Sequence, residues 1–581
     1  MPSRRTLTLL LVIPTLMGGC SGHDESGGSR GSTGGQDTTG GIGGGEPATG
    51  GDPIGSGGAP AGGTTTGGTP SGGAQAGGSP TGGATSGGTT TGGTVTGGAS
   101  MGGTPTGGTT TGGMPTGGSA TGGITTAGTE TGGVAIGGAD SGGAAGSATG
   151  GSSGDVDPSI VKQQETFIAL SGLTIVSYGG YLNGESFQQD GILTQGGYQY
   201  SAFWNTNRQV VMVRRRLPDG SWEKFDFTDY TNAEDDAHNT ISLGICPGDG
   251  TLHLAFDHHD STLHYRRSVP GLTTDPESAA WAASSFTSVA NSLVDGATLS
   301  ALTYPRFVTE PGGNKLLLAA RIGQSGNGNE LLWEYDSGQQ AWTEVGQFID
   351  GVTDSVNAYL HGLAYTRDDE RLHVAWCWRD TPDATTNHDL YYASSDDHGR
   401  TWRNNAGDVI ATSGSSFITQ ATPGARVWNI GQNRGLINQE HLTVGADGTV
   451  HVLLSHLPDS EPDDSDFTSA RTKSEFFHYW RDPDGTWSRS ELGLPVIQNF
   501  RGSLAMASSG NVYAVLPDLR IAAASASSGY TDWTPLDTTD SGRFFSDPLI
   551  DTSRLQTEDV LTVYYPEAGS PNIVALDYDI R

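Results

Sequence analysis

The sequence predicts an all-β fold, a seven-bladed β-propeller preceded by a disordered Gly/Thr-rich tether. Three observations lead there. Glycine is segregated: of the 92 glycines, 55 fall in residues 1–154 and 37 in the remaining 427. In that remainder, a strand–turn–strand unit recurs. Tryptophans following polar turns also recur, at Trp222, Trp281, Trp342 and Trp402, with spacings of 59, 61 and 60. The chain therefore divides into 1–20, a signal segment; 21–155, a linker; and 156–581, the propeller.

Residues 1–20 read MPSRRTLTLLLVIPTLMGGC. Arg4 and Arg5 form a charged start and Leu7 to Met17 an apolar run of secretory-signal length. Met17-Gly18-Gly19-Cys20 resembles a bacterial lipobox, which makes Cys20 the expected lipidation site. Each buried acyl methylene contributes about 0.8 kcal/mol, so two or three chains hold a protein on a membrane. Ser21 stands where a retention aspartate would keep the protein at the inner membrane, so the expected location is the outer membrane, including the cell surface.

Residues 21–155 repeat Thr-Gly-Gly and Ser-Gly-Gly without a single aromatic side chain. Such a tract cannot bury enough apolar area to offset its chain entropy. As a flexible coil it reaches roughly 65 Å. That suits a head working on polymer away from its anchor.

The C-terminal 427 residues hold 27 basic and 56 acidic side chains. A surface this negative repels phosphate backbones and argues against nucleic acid as partner. Three cysteines, Cys20, Cys246 and Cys377, cannot make a disulfide framework. A monomer is expected.

The recurring hairpin starts at Thr240 (TISLGI-CPGDG-TLHLAFD), Arg306, His361, His441, Gly502 and Asp547. The unit around Tyr198 lacks a clear inner strand, and the C-terminal segment is expected to complete it. Ser395-Asp396-Asp397-His398-Gly399-Arg400-Thr401-Trp402 matches the Asp-box pattern S-x-D-x-G-x-T-W, a structural turn rather than a chemical motif. His253, His373 and His451 occupy one register in three copies, with Tyr513 in a fourth, and read as packing positions.

Hairpin ends are different. The start of the first strand and the end of the second share one face. That rule collects on one rim His238 and His258, Tyr304 and Arg321, Tyr359 and His361 with Trp378 and Arg379, Asn438 and His456, and Arg501. The result is a basic, aromatic canyon suited to acidic polysaccharide, with a plain solvated loop surface as the bland alternative.

AHNTISLGI, LAFDHHDSTLHYRRS, TYPRF, ARIGQSGNG, YLHGLAY and WRDTPDATTNHDLYYASSDDHGRTW together resemble the BNR-repeat propeller family that includes ulvan lyases. The resemblance extends over about residues 160–581. It implies a polysaccharide lyase cleaving a uronate-containing, ulvan-like polymer by β-elimination, with His238, His258, Tyr304 and Arg321 catalytic. His259 adjoins His258 and leaves a one-residue ambiguity. Tyr359, His361, Trp378, Arg379, Asn438, His456 and Arg501 become candidates for binding sugar. No cofactor is required. Some relatives hold a structural ion, and His361, Cys377 and His388 lie in neighbouring segments, but no metal-ligand spacing supports one here. Alternatives are a rhamnosidase-like hydrolase on the same scaffold and a non-catalytic surface glycan-binding lipoprotein.

Overall fold

The computed structural model describes residues 157–581, apart from 179, 186, 188, 368–369 and 539–541. The signal segment, Cys20 and the whole of the linker lie outside the described residues. Seven antiparallel sheets form the blades of a propeller. Their innermost strands are Ile192–Gln195, Ile241–Cys246, Leu302–Thr309, Asn357–Tyr365, His441–Val444, Ser503–Met506 and Leu549–Ile550. Each lies beside the innermost strand of the next blade along the chain.

The alternation of side chains along each strand explains how the ring is glued. A strand presents successive residues to opposite faces. In Lys315–Gln324, Leu316, Leu318 and Ala320 pack toward blade two, while Leu317 and Ala319 pack toward blade four. Repeated around the ring, this gives seven apolar clusters, one at each seam between neighbouring blades. The near-continuous apolar strands of the sequence follow, because both faces of every sheet are buried.

The expected incompleteness of the first unit is corrected. Blade one is whole, running Ile192–Gln195, Tyr198–Trp204, Val210–Arg216 and Glu223–Asp226. Blade seven is the composite: Ile160–Ala169 from the N-terminal side adds its outer strand to Ile573–Ile580. The short apolar stretch at Ile192 was too brief to read as a strand. Blade two has three strands, its outer edge replaced by a loop bridged at Tyr265–Ala290 and Ser268–Phe286.

The repeated histidines are packing residues. His253 Nδ1 lies 2.6 Å from the Tyr265 hydroxyl, His373 Nδ1 2.7 Å from that of Tyr392, and His451 Nδ1 2.9 Å from His478 Nε2. Each bond runs diagonally to the next strand of the same blade, and burial holds all three imidazoles neutral.

Candidate active site

The mouth is built where blades two to six open their first hairpins. Asp236 and His238 precede the inner strand of blade two, and His259 and Asp260 follow its second strand. Asp236 bridges both imidazoles, Oδ1 lying 2.7 Å from His238 Nδ1 and Oδ2 2.6 Å from His259 Nδ1. The two rings stack with centroids 4.0 Å apart. A carboxylate on each Nδ1 favours the proton there and leaves both Nε2 atoms as acceptors. Burial raises the Asp236 carboxyl, but the two histidine bonds outweigh it and keep it anionic. Burial lowers His238 to about 4, although Asp236 pulls the other way. His238 is therefore neutral at pH 7.

Tyr304 is delivered by a bulge. The ladder pairs Thr303 with Arg321 and then Arg306 with Ala319, so Tyr304 and Pro305 fall outside it. Tyr304 takes φ +58°, a conformation that costs a non-glycine residue energy and re-aims its side chain. Its ring lies 5.8 Å from that of His238 and 5.2 Å from Phe187. Arg321 packs its guanidinium 5.0 Å from the Tyr304 ring centre and donates through Nη2 to Asp260 Oδ1 at 2.8 Å. Burial raises the Tyr304 phenol, as does neighbouring Tyr359, so it stays protonated despite the arginines around it.

Tyr359 continues the site, its ring 5.9 Å from Tyr304. Arg379 lies 4.5 Å from the Tyr359 ring centre, donates to its hydroxyl at 3.1 Å and reaches Asn438 Oδ1 at 3.1 Å. Burial raises the Tyr359 phenol, but Arg379 and Arg321 outweigh it and lower it. Arg501 donates to the Asn438 carbonyl at 2.7 Å and pairs with Glu185 and Asp547 at 3.2 and 3.3 Å.

The structure thus brings together His238, Tyr304, Arg321, Tyr359, Arg379, Asn438 and Arg501. It does not bring the rest. His258 is buried, 1 % exposed, its Nε2 accepting the His264 amide at 2.9 Å. Asp257 at φ +65° ends the strand alternation, so His259 rather than His258 faces the mouth. Trp378 faces the seam between blades three and four, fully buried with Trp376 and Tyr391. His361, in a bulge of its own strand, is buried and accepts the Glu440 amide at 3.2 Å. His456 is enclosed within blade five, stacked at 4.1 Å on Phe477 and 2.8 Å from the Tyr479 hydroxyl. These three, expected to bind sugar, are buried rather than open at this mouth, and His456 instead borders a separate recess with Arg434, Asp459 and Arg489.

His361, Cys377 and His388 do not converge. Cys377 lies in the seam between blades four and five, and His388 is held by Asp380 and Asp389 at 3.0 and 3.1 Å. The canyon is also less basic than expected, because Asp260 pairs with Arg321 and Asp547 with Arg501, while burial and Asp547 push the neighbouring Glu185 carboxyl well up. Rim-counting by hairpin ends finds cations and aromatics but overlooks those carboxylates. It likewise passes over Asp236, Tyr178 and Phe187. The Asp236-x-His238 spacing and the His258–His259 doublet were the available signals.

A seven-bladed propeller thus carries an imidazole pair, two phenols and three guanidiniums at one mouth. The chain belongs to the BNR repeat-containing family, whose model matches residues 198–493. It is 24% identical over 312 residues to the long isoform of ulvan lyase from Alteromonas sp., a match covering 45% of this chain and 31% of that protein. It is 28% identical over 162 residues to the short isoform from Alteromonas sp. (strain LOR), covering 22% of this chain and 29% of that protein. The chain thus spans about a third of the length of the curated relatives it matches. Among solved structures, the polysaccharide lyase Uly1 superposes with a TM-score of 0.55 at 18% identity, covering 72% of this chain and 99% of that one. A PL25 ulvan lyase bound to -[GlcA(1-4)Rha3S]- gives 0.53 at 12% identity, covering 71% of this chain and 95% of that one. Those likenesses establish the fold.

Proposed function

We propose that this protein is a polysaccharide lyase that cleaves a uronate-containing, ulvan-like acidic polysaccharide by β-elimination. The observation that carries the reading is the meeting of a neutral His238 with a protonated Tyr304 beside the Arg321 guanidinium. Elimination removes the proton α to the uronate carboxylate, forms the ring double bond and breaks the bond to the glycosidic oxygen at the β carbon. His238 Nε2 takes the proton, its imidazole being unprotonated and able to accept at physiological pH. Tyr304 returns a proton to the departing oxygen. The charges of Arg321, Arg379 and Arg501 offset the uronate carboxylate and the enolate-like transition state. His259 shares Asp236 with His238 and fixes its ring. Tyr178, 65% exposed and edge-on to His238 at 4.6 Å, offers a face on which a pyranose can stack. The relatives act on ulvan by name, which motivates that polymer as first substrate. The resemblance of Met17-Gly18-Gly19-Cys20 to a lipobox supports, within the same proposal, a lipid anchor at the outer membrane.

The test is ultraviolet absorbance of the unsaturated uronate when purified protein meets ulvan and other uronate polymers. Arg321→Ala and Tyr304→Phe are expected to abolish the signal with the far-ultraviolet spectrum unchanged. Normal turnover in both would remove the site from the chemistry. New reducing ends without absorbance would favour the hydrolase, and glycan affinity without cleavage the lectin.

A further inference from the structure

On the opposite face of the ring, three potential ligands converge that the elimination chemistry does not use. The inner strand of blade three begins at the mouth with Leu302–Tyr304 and ends at Thr309, followed by Glu310. At about 3.3 Å per residue, Glu310 lies on the order of 20 Å from Tyr304. Glu370 lies in the turn after Asn357–Tyr365, and His398 in the turn after Asn387–Ser395, so both belong to that same far face. One ligand atom from each of Glu310, Glu370 and His398 lies within 4.8 Å of the others.

A second observation points to a ligand there. Glu310 is only 8 % exposed, and its Oε2 is buried without a hydrogen-bond partner. A buried carboxylate oxygen left unpaired is costly, and protein sites resolve that cost by pairing it or binding a metal. Among the described residues, neither Glu310 nor Glu370 has a cationic partner. The nearby Arg400 is engaged by Glu334 at 3.0 Å. His398 Nδ1 lies 3.1 Å from the Tyr365 hydroxyl, a contact of the kind that orients a metal-ligating imidazole.

We propose that Glu310, Glu370 and His398 form a divalent transition-metal site that clips blade three to blade four. Two carboxylates and an imidazole form a mixed O,O,N set suited to Zn²⁺ or Mn²⁺, with water completing the shell, rather than to Ca²⁺ with its six to eight oxygens. The ion satisfies Glu310 Oε2 and ties the end of one blade's inner strand to the outer hairpin of the next. The site stands apart from the mouth and does not depend on the lyase reading.

The probe is Zn²⁺ alone, added to chelator-treated full-length protein and to Glu310→Gln and His398→Ala. Bound metal per chain is measured after equilibrium dialysis, and the melting temperature is measured with and without metal. Because Asp236, His238 and His259 could also hold an ion at the mouth, the decisive quantity is the difference in stoichiometry. Loss of one equivalent in each variant, together with loss of the metal-induced rise in melting temperature, supports the site. Glu310→Gln keeps the side-chain shape and serves if His398→Ala fails to fold. Equal stoichiometry in wild type and variants, no binding by the wild type, or loss in only one of two folded variants overturns it.

Discussion

His258 and His259 are adjacent in sequence and opposite in circumstance. His258 is sealed under blade two as an acceptor for a backbone amide, and burial holds it well below the usual imidazole range. His259 shares Asp236 with His238 at the open mouth. His238→Ala and His259→Ala are therefore expected to lower kcat/KM on ulvan, the first by about 10²–10⁴-fold as the loss of a general base. His258→Ala should instead leave kcat/KM near wild type and cost about 1–3 kcal/mol in urea unfolding, because an amide loses its acceptor. The reverse pattern would return His258 to the chemistry. The pH profile adds a sign. Burial lowers His238 to about 4, so the basic form persists on acidification until pH approaches that value. The acid limb of kcat/KM should fall near pH 4, not near the ordinary imidazole value of about 6.5. A limb near 6.5 would exclude His238 as base.

Among the elements, the turn Ser395–Trp402 shows what a motif determines. Asp397 Oδ1 accepts the Thr401 amide at 2.7 Å and the Ser395 hydroxyl at 2.8 Å, while Ser395 Oγ accepts the Gly399 amide at 2.8 Å. Trp402 is carried into the seam, stacked at 4.7 Å on Phe348 of blade three. Gly399 sits at φ +80°, and a Cβ there would lie 2.5 Å from Leu332 Cδ1. Gly399→Ala is expected to destabilise by about 1–3 kcal/mol through overpacking and backbone strain, read as a lowered denaturant midpoint. An unchanged midpoint would mean that the seam can yield. This turn and the recurring hairpins were legible because local spacing encodes them. The Tyr304 bulge and the positive φ at Asp257 were not, since nothing in a period-two pattern announces an extra residue. The turn at Asp257 moved the partner histidine from 258 to 259. Trp378, His361 and His456 were misplaced for a related reason: hairpin ends indicate which rim a residue is near, but not whether it faces the seam or the opening.

At the scale of the ring, closure depends on a junction far apart in sequence. Asp577, 1 % exposed, accepts both oxygens' worth of bonds from Arg215 of blade one at 2.8 Å. It also pairs with Arg554 at 3.0 Å, and takes Thr562 Oγ1 at 2.8 Å and Gln164 Nε2 at 2.6 Å. One carboxylate thus joins the first blade, the closing strand Ile160–Ala169 and the last blade. Sequence could place the seven units but could not find this joint, because its members are separated by almost the whole propeller. Removing the carboxylate leaves the buried Arg215 guanidinium without its counter-charge and Arg554 with Glu558 alone, which is worse than replacing the entire group with apolar side chains. Asp577→Ala is expected to cost about 3–5 kcal/mol. Replacing Asp577, Arg215 and Arg554 together with apolar residues of similar size should recover part of that loss. Urea unfolding of the single and triple variants tests the claim. A single variant as stable as wild type would show that the ring is closed by the apolar seam between blades seven and one alone.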